Sequence, residues 1–118
     1  MPNQERRKAP RIKDEELPLR INIDGFDTVT HTLNISSSGL YCKVAKDIPL
    51  MSRVKLMLMI PNLTKNERGV EVEGVVVRAH PVIIDGQVRH YDVAIFFDDL
   101  NPRAKELIAN YIARKKSA

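Results

Sequence analysis

The sequence predicts a mainly β protein, an antiparallel barrel of short strands closed by one C-terminal α-helix. Three observations carry that prediction. From residue 17 to residue 97 apolar residues alternate with polar ones in short runs, the period of half-buried strands. Turn residues rather than helical segments separate these runs, whereas a parallel sheet needs a crossover, usually a helix, between its strands. Only after residue 100 does the period change to that of a helix.

Leu17, Leu19, Ile21 and Ile23 alternate with Pro18, Arg20 and Asn22, which defines the first strand. Asp24-Gly25 supplies a hairpin turn. Val29, His31, Leu33 and Ile35 then alternate with Thr28, Thr30, Thr32, Asn34 and Ser36, so the first set is expected toward the core and the second toward solvent. Leu40, Cys42 and Val44 mark a third strand, 54–60 a fourth, 70–79 a fifth and 91–97 a sixth. The alternation of the fifth slips at Gly74, which predicts a bulge or bend there. Ile84-Asp85-Gly86-Gln87 reads as a further hairpin turn, with a short strand, 81–84, leading into it from Pro81. Asn101 is a good N-cap and Pro102 suits the first helical position. Ala104, Leu107, Ile108, Tyr111 and Ile112 then form the apolar stripe of a helix over 102–115, expected to lie on the barrel or plug one end of it. Arg114, Lys115 and Lys116 sit at the negative end of its dipole.

A length of 118 residues fits one domain, divided into a basic arm, 1–16, and a barrel with its helix, 17–118. No run approaches the roughly 18 apolar residues of a membrane helix, and the N-terminus lacks the apolar stretch of a secretory signal. A single cysteine, Cys42, excludes an internal disulfide and a cysteine zinc site, and fits a reducing cytoplasm. Charge is placed unevenly: residues 1–13 carry +4 and residues 103–118 carry +4, so a total of +4 leaves −4 on the body between. That is not the uniform basic surface of a nucleic-acid coat; it suits a small anionic ligand met by one basic end.

Two polar signatures remain. Arg7-Lys8-Ala9-Pro10-Arg11, preceded by Arg6, sets guanidiniums on a segment that Pro10 keeps extended. Each guanidinium is a planar fork able to bind phosphate oxygens bidentately, stack on a purine, or read the O6 and N7 edge of guanine. Asn34-Ile35-Ser36-Ser37-Ser38-Gly39 ends a predicted strand, with Asn34 and Ser36 expected on one outward face and Gly39 closing the turn. Taken singly, the first also reads as a solvated terminal tail and the second as a Ser or Asx turn between strands.

Taken together, an Arg-x-x-x-Arg segment followed across a strand and hairpin by Asn-x-Ser-x-x-Gly resembles the double motif of PilZ domains, bacterial receptors for cyclic di-GMP. The resemblance covers most of the chain and implies a six-stranded antiparallel PilZ-like β-barrel with a C-terminal helix. The strand Tyr91-Asp92-Val93-Ala94-Ile95-Phe96-Phe97 is similar to the one that precedes that helix in the family. It further implies that Arg7 and Arg11 grip ligand phosphates and a guanine Hoogsteen edge, and that Arg6 meets a second guanine. Asn34 and Ser36 would bond the other guanine and the ligand backbone, with Gly39 leaving room. Asn34 stands where Asp is commoner, and Ala94 where many members have Gly, a difference read as one of barrel packing.

The expected function is therefore a cytoplasmic cyclic di-GMP receptor or adaptor, with no cofactor beyond that ligand. It would order its N-terminal arm on binding and signal to a separate, unidentified effector protein in motility or biofilm control. Neither nucleic-acid binding nor membrane insertion is expected, and the chain would be a monomer or weak dimer. A PilZ-fold adaptor that binds no ligand and a small-barrel nucleic-acid binder stay open, although the latter needs stacking aromatics and this chain has no Trp, three Tyr and three Phe. No catalytic or metal-binding spacing is present: no G-x-S-x-G, Walker loop or G-x-G-x-x-G, and no grouping of His, Asp and Glu. His31 is expected on the core face of its strand, His80 and His90 in solvent, Glu71 and Glu73 on a solvated edge, and Cys42 inert in the core.

Overall fold

The computed structural model describes residues 12–13, 17–23, 25–61 and 69–117. Its strands are β1 (Ile12–Lys13), β2 (Pro18–Ile23), β3 (Phe26–Ile35), β4 (Gly39–Val44), β5 (Arg53–Leu58), β6 (Val70–Ile84) and β7 (Gln87–Asp98), followed by α1 (Pro102–Ser117). Antiparallel ladders run β3-β2-β5-β6-β7-β4, and β4 pairs back to β3. Six strands thus close into a barrel, which leaves no continuous open edge. The short β1 lies along β3 beyond the end of β2, pairing Ile12 with Ile35 and Lys13 with Asn34.

The interior is filled by the apolar residues that the alternation picks out. Leu19 and Ile21, Leu40 and Cys42, Val54 and Leu56, Val72 and Val76, and Val93 and Ile95 are all buried. Ala104, Ile108, Tyr111 and Ile112 join the same cluster, so α1 packs on the barrel core. The helix begins where expected: the amide of Ala104 donates to Asn101 Oδ1 at 2.8 Å, satisfying one of the first-turn N–H groups. At the far hairpin Asp85 and Gly86 have φ of 52° and 78°, the two left-handed residues that a two-residue turn with the strands' own twist requires.

Two departures from simple alternation matter for function. Against β4, Thr32 pairs with Cys42 but Asn34 pairs with Tyr41, so Leu33 is an extra residue in β3. The faces of β3 therefore exchange at this bulge: Thr32 is 0% exposed beside the interior Cys42, while Val29 is 58% exposed and His31 lies in solvent. The expectation that Val29 and His31 face the core fails for this reason. Against β7, Val76 pairs with Ile95 and Arg78 with Ala94, which makes Val77 the extra residue of β6. The bulge is thus not at Gly74, which keeps its inward place because the Ile95 side chain and the Phe96 carbonyl occupy the space a Cβ would take. Strand 81–84 is not separate either: β6 runs unbroken to Ile84.

Candidate functional site

Asn34, Ser36 and Gly39 lie at the join between β3 and β4. Ser36 is only 1% exposed, and its hydroxyl is spent within its own turn. Its Oγ accepts the Ser38 amide at 3.2 Å, lies 3.1 Å from Ser38 Oγ and donates to the Gly39 carbonyl at 3.3 Å; the Ser36 amide donates to that same carbonyl at 2.8 Å. The expected shared outward face of Asn34 and Ser36 is therefore not what forms. Asn34, paired with Tyr41, is the half-buried member, and Ser36 folds inward to build the turn. Gly39 pairs with Phe96, and the Ile95 carbonyl sits where its Cβ would be, so glycine here lets β4 close onto β7.

The pairings lay out a surface that the linear sequence conceals. Asn34 on β3 is opposite Tyr41 on β4, Tyr41 is opposite Ala94 on β7, and Ala94 is opposite Arg78 on β6. Cross-strand partners share a face, so these four form one row on the outside of the barrel. A second row runs Gly39, Phe96, Val75 and Arg53. Ala94, read as a packing residue, stands on the outer floor and is 6% exposed, whereas Phe96 beside Gly39 is 53% exposed. Small residues at Gly39 and Ala94 thus make a shallow floor flanked by Tyr41, Phe96 and Arg78. The charges nearby are partly committed: Arg53 Nη1 pairs with Asp98 Oδ2 at 2.6 Å, and His90 Nε2 lies 3.1 Å from Asp92 Oδ1. His90 is accordingly half-buried rather than solvated.

Elsewhere, a hollow of about 500 Å³ is lined by Arg20, Asn22, Lys55, Glu71, Glu73 and Asp99, among others, on the β2-β5-β6 side. Its carboxylates outnumber its cations, and Arg20 already meets Asp27 at 3.1 Å, so it is a poor seat for an anion despite its size. Among the described residues no group of three His, Cys, Asp or Glu could hold a metal ion, and no helix is long and apolar enough to cross a membrane. Cys42 is buried with its thiol pushed up to about 12 by desolvation, with Asp92 adding to the effect; it is no nucleophile at neutral pH. Arg6, Arg7 and Arg11 lie outside the described residues.

A family model for the PilZ domain matches residues 5–114. The chain belongs to the PilZ domain family. Solved structures agree on the fold. The Bacillus subtilis inhibitor of motility MotI/DgrA superposes with a TM-score of 0.73 at 20% identity, covering 95% of this chain and 52% of that one. MrkH of K. pneumonia, in complex with c-di-GMP, gives 0.67 at 15% identity over 94% of this chain and 55% of MrkH. The isolated PilZ domain of YcgR from Escherichia coli, with c-di-GMP, gives 0.66 at 14% identity, covering 95% and 97%. This PilZ chain spans about half the length of MotI and MrkH. No curated protein sequence matches it.

The double motif was sufficient to find the family, but not the floor. Tyr41, Ala94, Phe96 and Arg78 are 7, 60, 62 and 44 positions from Asn34, and only strand register unites them.

Proposed function

We propose that this chain is a cyclic di-GMP receptor in which the arginine arm and the β3–β4 turn hold the ligand against the outer floor of the barrel. The observation that carries this is the pairing of β1 with β3. Lys13 and Ile12 lie opposite Asn34 and Ile35, and Arg11 is one peptide bond from Ile12. The arginine segment immediately precedes β1 in the sequence, and β1 borders the Asn34 end of β3, which supports one shared ligand for the two motifs.

In this reading Arg7 and Arg11 take phosphates and a guanine Hoogsteen edge, and Arg6 takes a second guanine. Asn34 presents its amide to the other base; Ser36 and Gly39 fix the turn that aims it. The complexes of MrkH, YcgR and the Borreliella burgdorferi protein PlzA with c-di-GMP support the ligand class. Binding rather than catalysis is the output. Ligand pins the arm across the barrel and so alters the surface met by a separate effector protein in the cytoplasm.

Calorimetric titration of cyclic di-GMP tests the reading, with Arg7→Ala and Arg11→Ala variants and with GTP and a short RNA at two salt concentrations as controls. Selective binding lost in both variants is expected. A folded protein without binding would point to a ligand-free adaptor, and tighter, salt-sensitive RNA binding to a nucleic-acid module. Hydrogen exchange that leaves residues 1–13 equally protected with and without ligand would remove the arm-pinning step alone.

A further inference from the structure

β6 and β7 outrun the barrel. The ladder from β5 ends at Val75 and the ladder from β4 ends at Tyr91, so the hairpin from Val82 to His90 pairs only with itself and stands clear as a two-stranded arm. A lone ribbon of this kind is marginally stable in water. Alternation carries the core face out along it: Ala79, Pro81 and Ile83 share one face of β6, opposite Val93, Tyr91 and Val88 of β7. Val93 is buried in the core and Tyr91 is half-buried, but Ile83 and Val88 near the tip are 61% and 50% exposed. The core stripe thus runs past the wall that covers it. The backbone edge of the arm is blunted, because Pro81 has no N–H to give a further strand. What stays open is a face.

At the base of the arm the same face borders a hollow of about 370 Å³, which lies between residues 47–50 and 77–80 and is lined by Ala79 among them. Pro49, Leu50 and Val77 give it apolar walls, while Arg78 and His80 line it against one carboxylate, Asp47. The tip carries the complement, since Asp85 is exposed two residues after Ile83. An apolar knob with a carboxylate therefore stands at one end of the arm, and an apolar recess with an arginine and a histidine at the other. Ala79 and Ile83 are held about 13 Å apart by the extended strand between them, so the knob cannot enter the recess of its own chain. A second copy, turned about a two-fold axis across the middle of the arm, brings each tip to the other's base.

We infer that this face of the β6–β7 arm is an isologous dimer interface, in which Ile83 and Val88 of each copy seat against the hollow at the base of the other arm and Asp85 meets the arginine there. An isologous contact requires a surface and its complement on the same chain, and the two ends of the arm supply them. A partner of one charge would answer the tip or the hollow but not both. The arm is small beside the roughly 800 Å² per partner of a standard interface, so the dimer is weak and depends on concentration.

Sedimentation velocity of the full chain, from micromolar to millimolar protein, is the test. Wild type is expected to pass from monomer to dimer within that range. Ile83→Ser combined with Val88→Ser should weaken association by about 10-fold or more. Asp85→Asn and Arg78→Gln should each weaken it by about 3-fold, the two together no more than either alone. Ile84→Ser, on the reverse face opposite Gln87, should behave as wild type. A short bismaleimide should join Ile83→Cys to Leu50→Cys when the two variants are mixed, and neither variant to itself; Cys42 is buried and does not compete. A wild type that stays monomeric throughout would overturn the inference. So would a dimer that survives the double serine variant, one lost equally in Ile84→Ser, or an Ile83→Cys variant that joins to itself. Circular dichroism and thermal melts of these exposed substitutions are expected to match wild type. Asp85→Asn reads the interface even if the double serine variant melts early, because asparagine tolerates the φ of 52° at that position.

Discussion

Across β2, β5 and β6 the outer surface carries Arg20, Lys55, Glu71 and Glu73 around the larger hollow, whereas across β3, β4, β7 and β6 it carries Asn34, Tyr41, Ala94 and Arg78 on a shallow floor. The same antiparallel backbone underlies both. What differs is chemistry: the hollow has volume but an excess of carboxylates, while the floor has small residues, exposed aromatic surface and the exposed Arg78 at its edge. For the proposed anionic ligand, volume alone favours the first half, whereas charge and the placing of glycine and alanine favour the second.

The largest effect that would break this contrast concerns the dryness behind the floor. Cys42 lies inward under β4, and burial first, then Asp92, pushes its thiol pKa up to about 12 from an ordinary 9.0. The neutral form is favoured in the fold, so the stability it contributes is complete below pH 9. It is lost as pH climbs from about 9 toward 12, by on the order of 4 kcal/mol. Urea melts of wild type and Cys42→Val at pH 8 and pH 11 should diverge by the steeper decline of wild type; parallel declines would mean that water reaches the back of β4. Next in size, Gly39→Ala places a methyl against the Ile95 carbonyl. It should cost about 3 kcal/mol in the same melts, while Gly25→Ala at an open turn should cost less. Ser36→Ala leaves the Ser38 amide without its acceptor and should cost about 1–2 kcal/mol. Smallest of all, Glu71→Gln with Glu73→Gln should move cyclic di-GMP binding by less than about 0.5 kcal/mol, because both carboxylates lie on the other half. A large gain in affinity would show that the ligand visits the hollow.

Local signals were legible and pairing signals were not. Asn101 and Pro102 announced the helix start because a cap is made by neighbours in the chain, and its N–H bond is present. Asp85-Gly86 announced its turn for the same reason. The core strands followed from alternation, since burial of one face is what produces it. Leu33 and Val77 gave no warning, because a bulge is decided by which residue the opposite strand presents, and Cys42, Tyr41, Ala94 and Ile95 are distant in the chain. From this came the misplacing of Val29 and His31, and of the bulge assigned to Gly74. The Asn34–Arg78 row was hidden for the same cause. Ser36 shows a third limit: its type fits a ligand contact and a turn equally well, and only the fold shows that it faces inward with its hydroxyl bonded within the turn.

The pairing of Gly39 with Phe96 joins positions 57 apart in the chain, and it is this join that shuts the ring. Contacts of such long range come at a high loop-closure cost and characterise slow-folding β topologies. In the proposed receptor, a ligand held on the floor beside Gly39 and Ala94 would find its seat only in a chain that has completed that step. Occupancy would then pull the folding equilibrium as well as the signal, by about 2.7 kcal/mol at a hundredfold excess over Kd. For so small a barrel, the messenger would double as a folding ligand, making the protein most durable when it is in use.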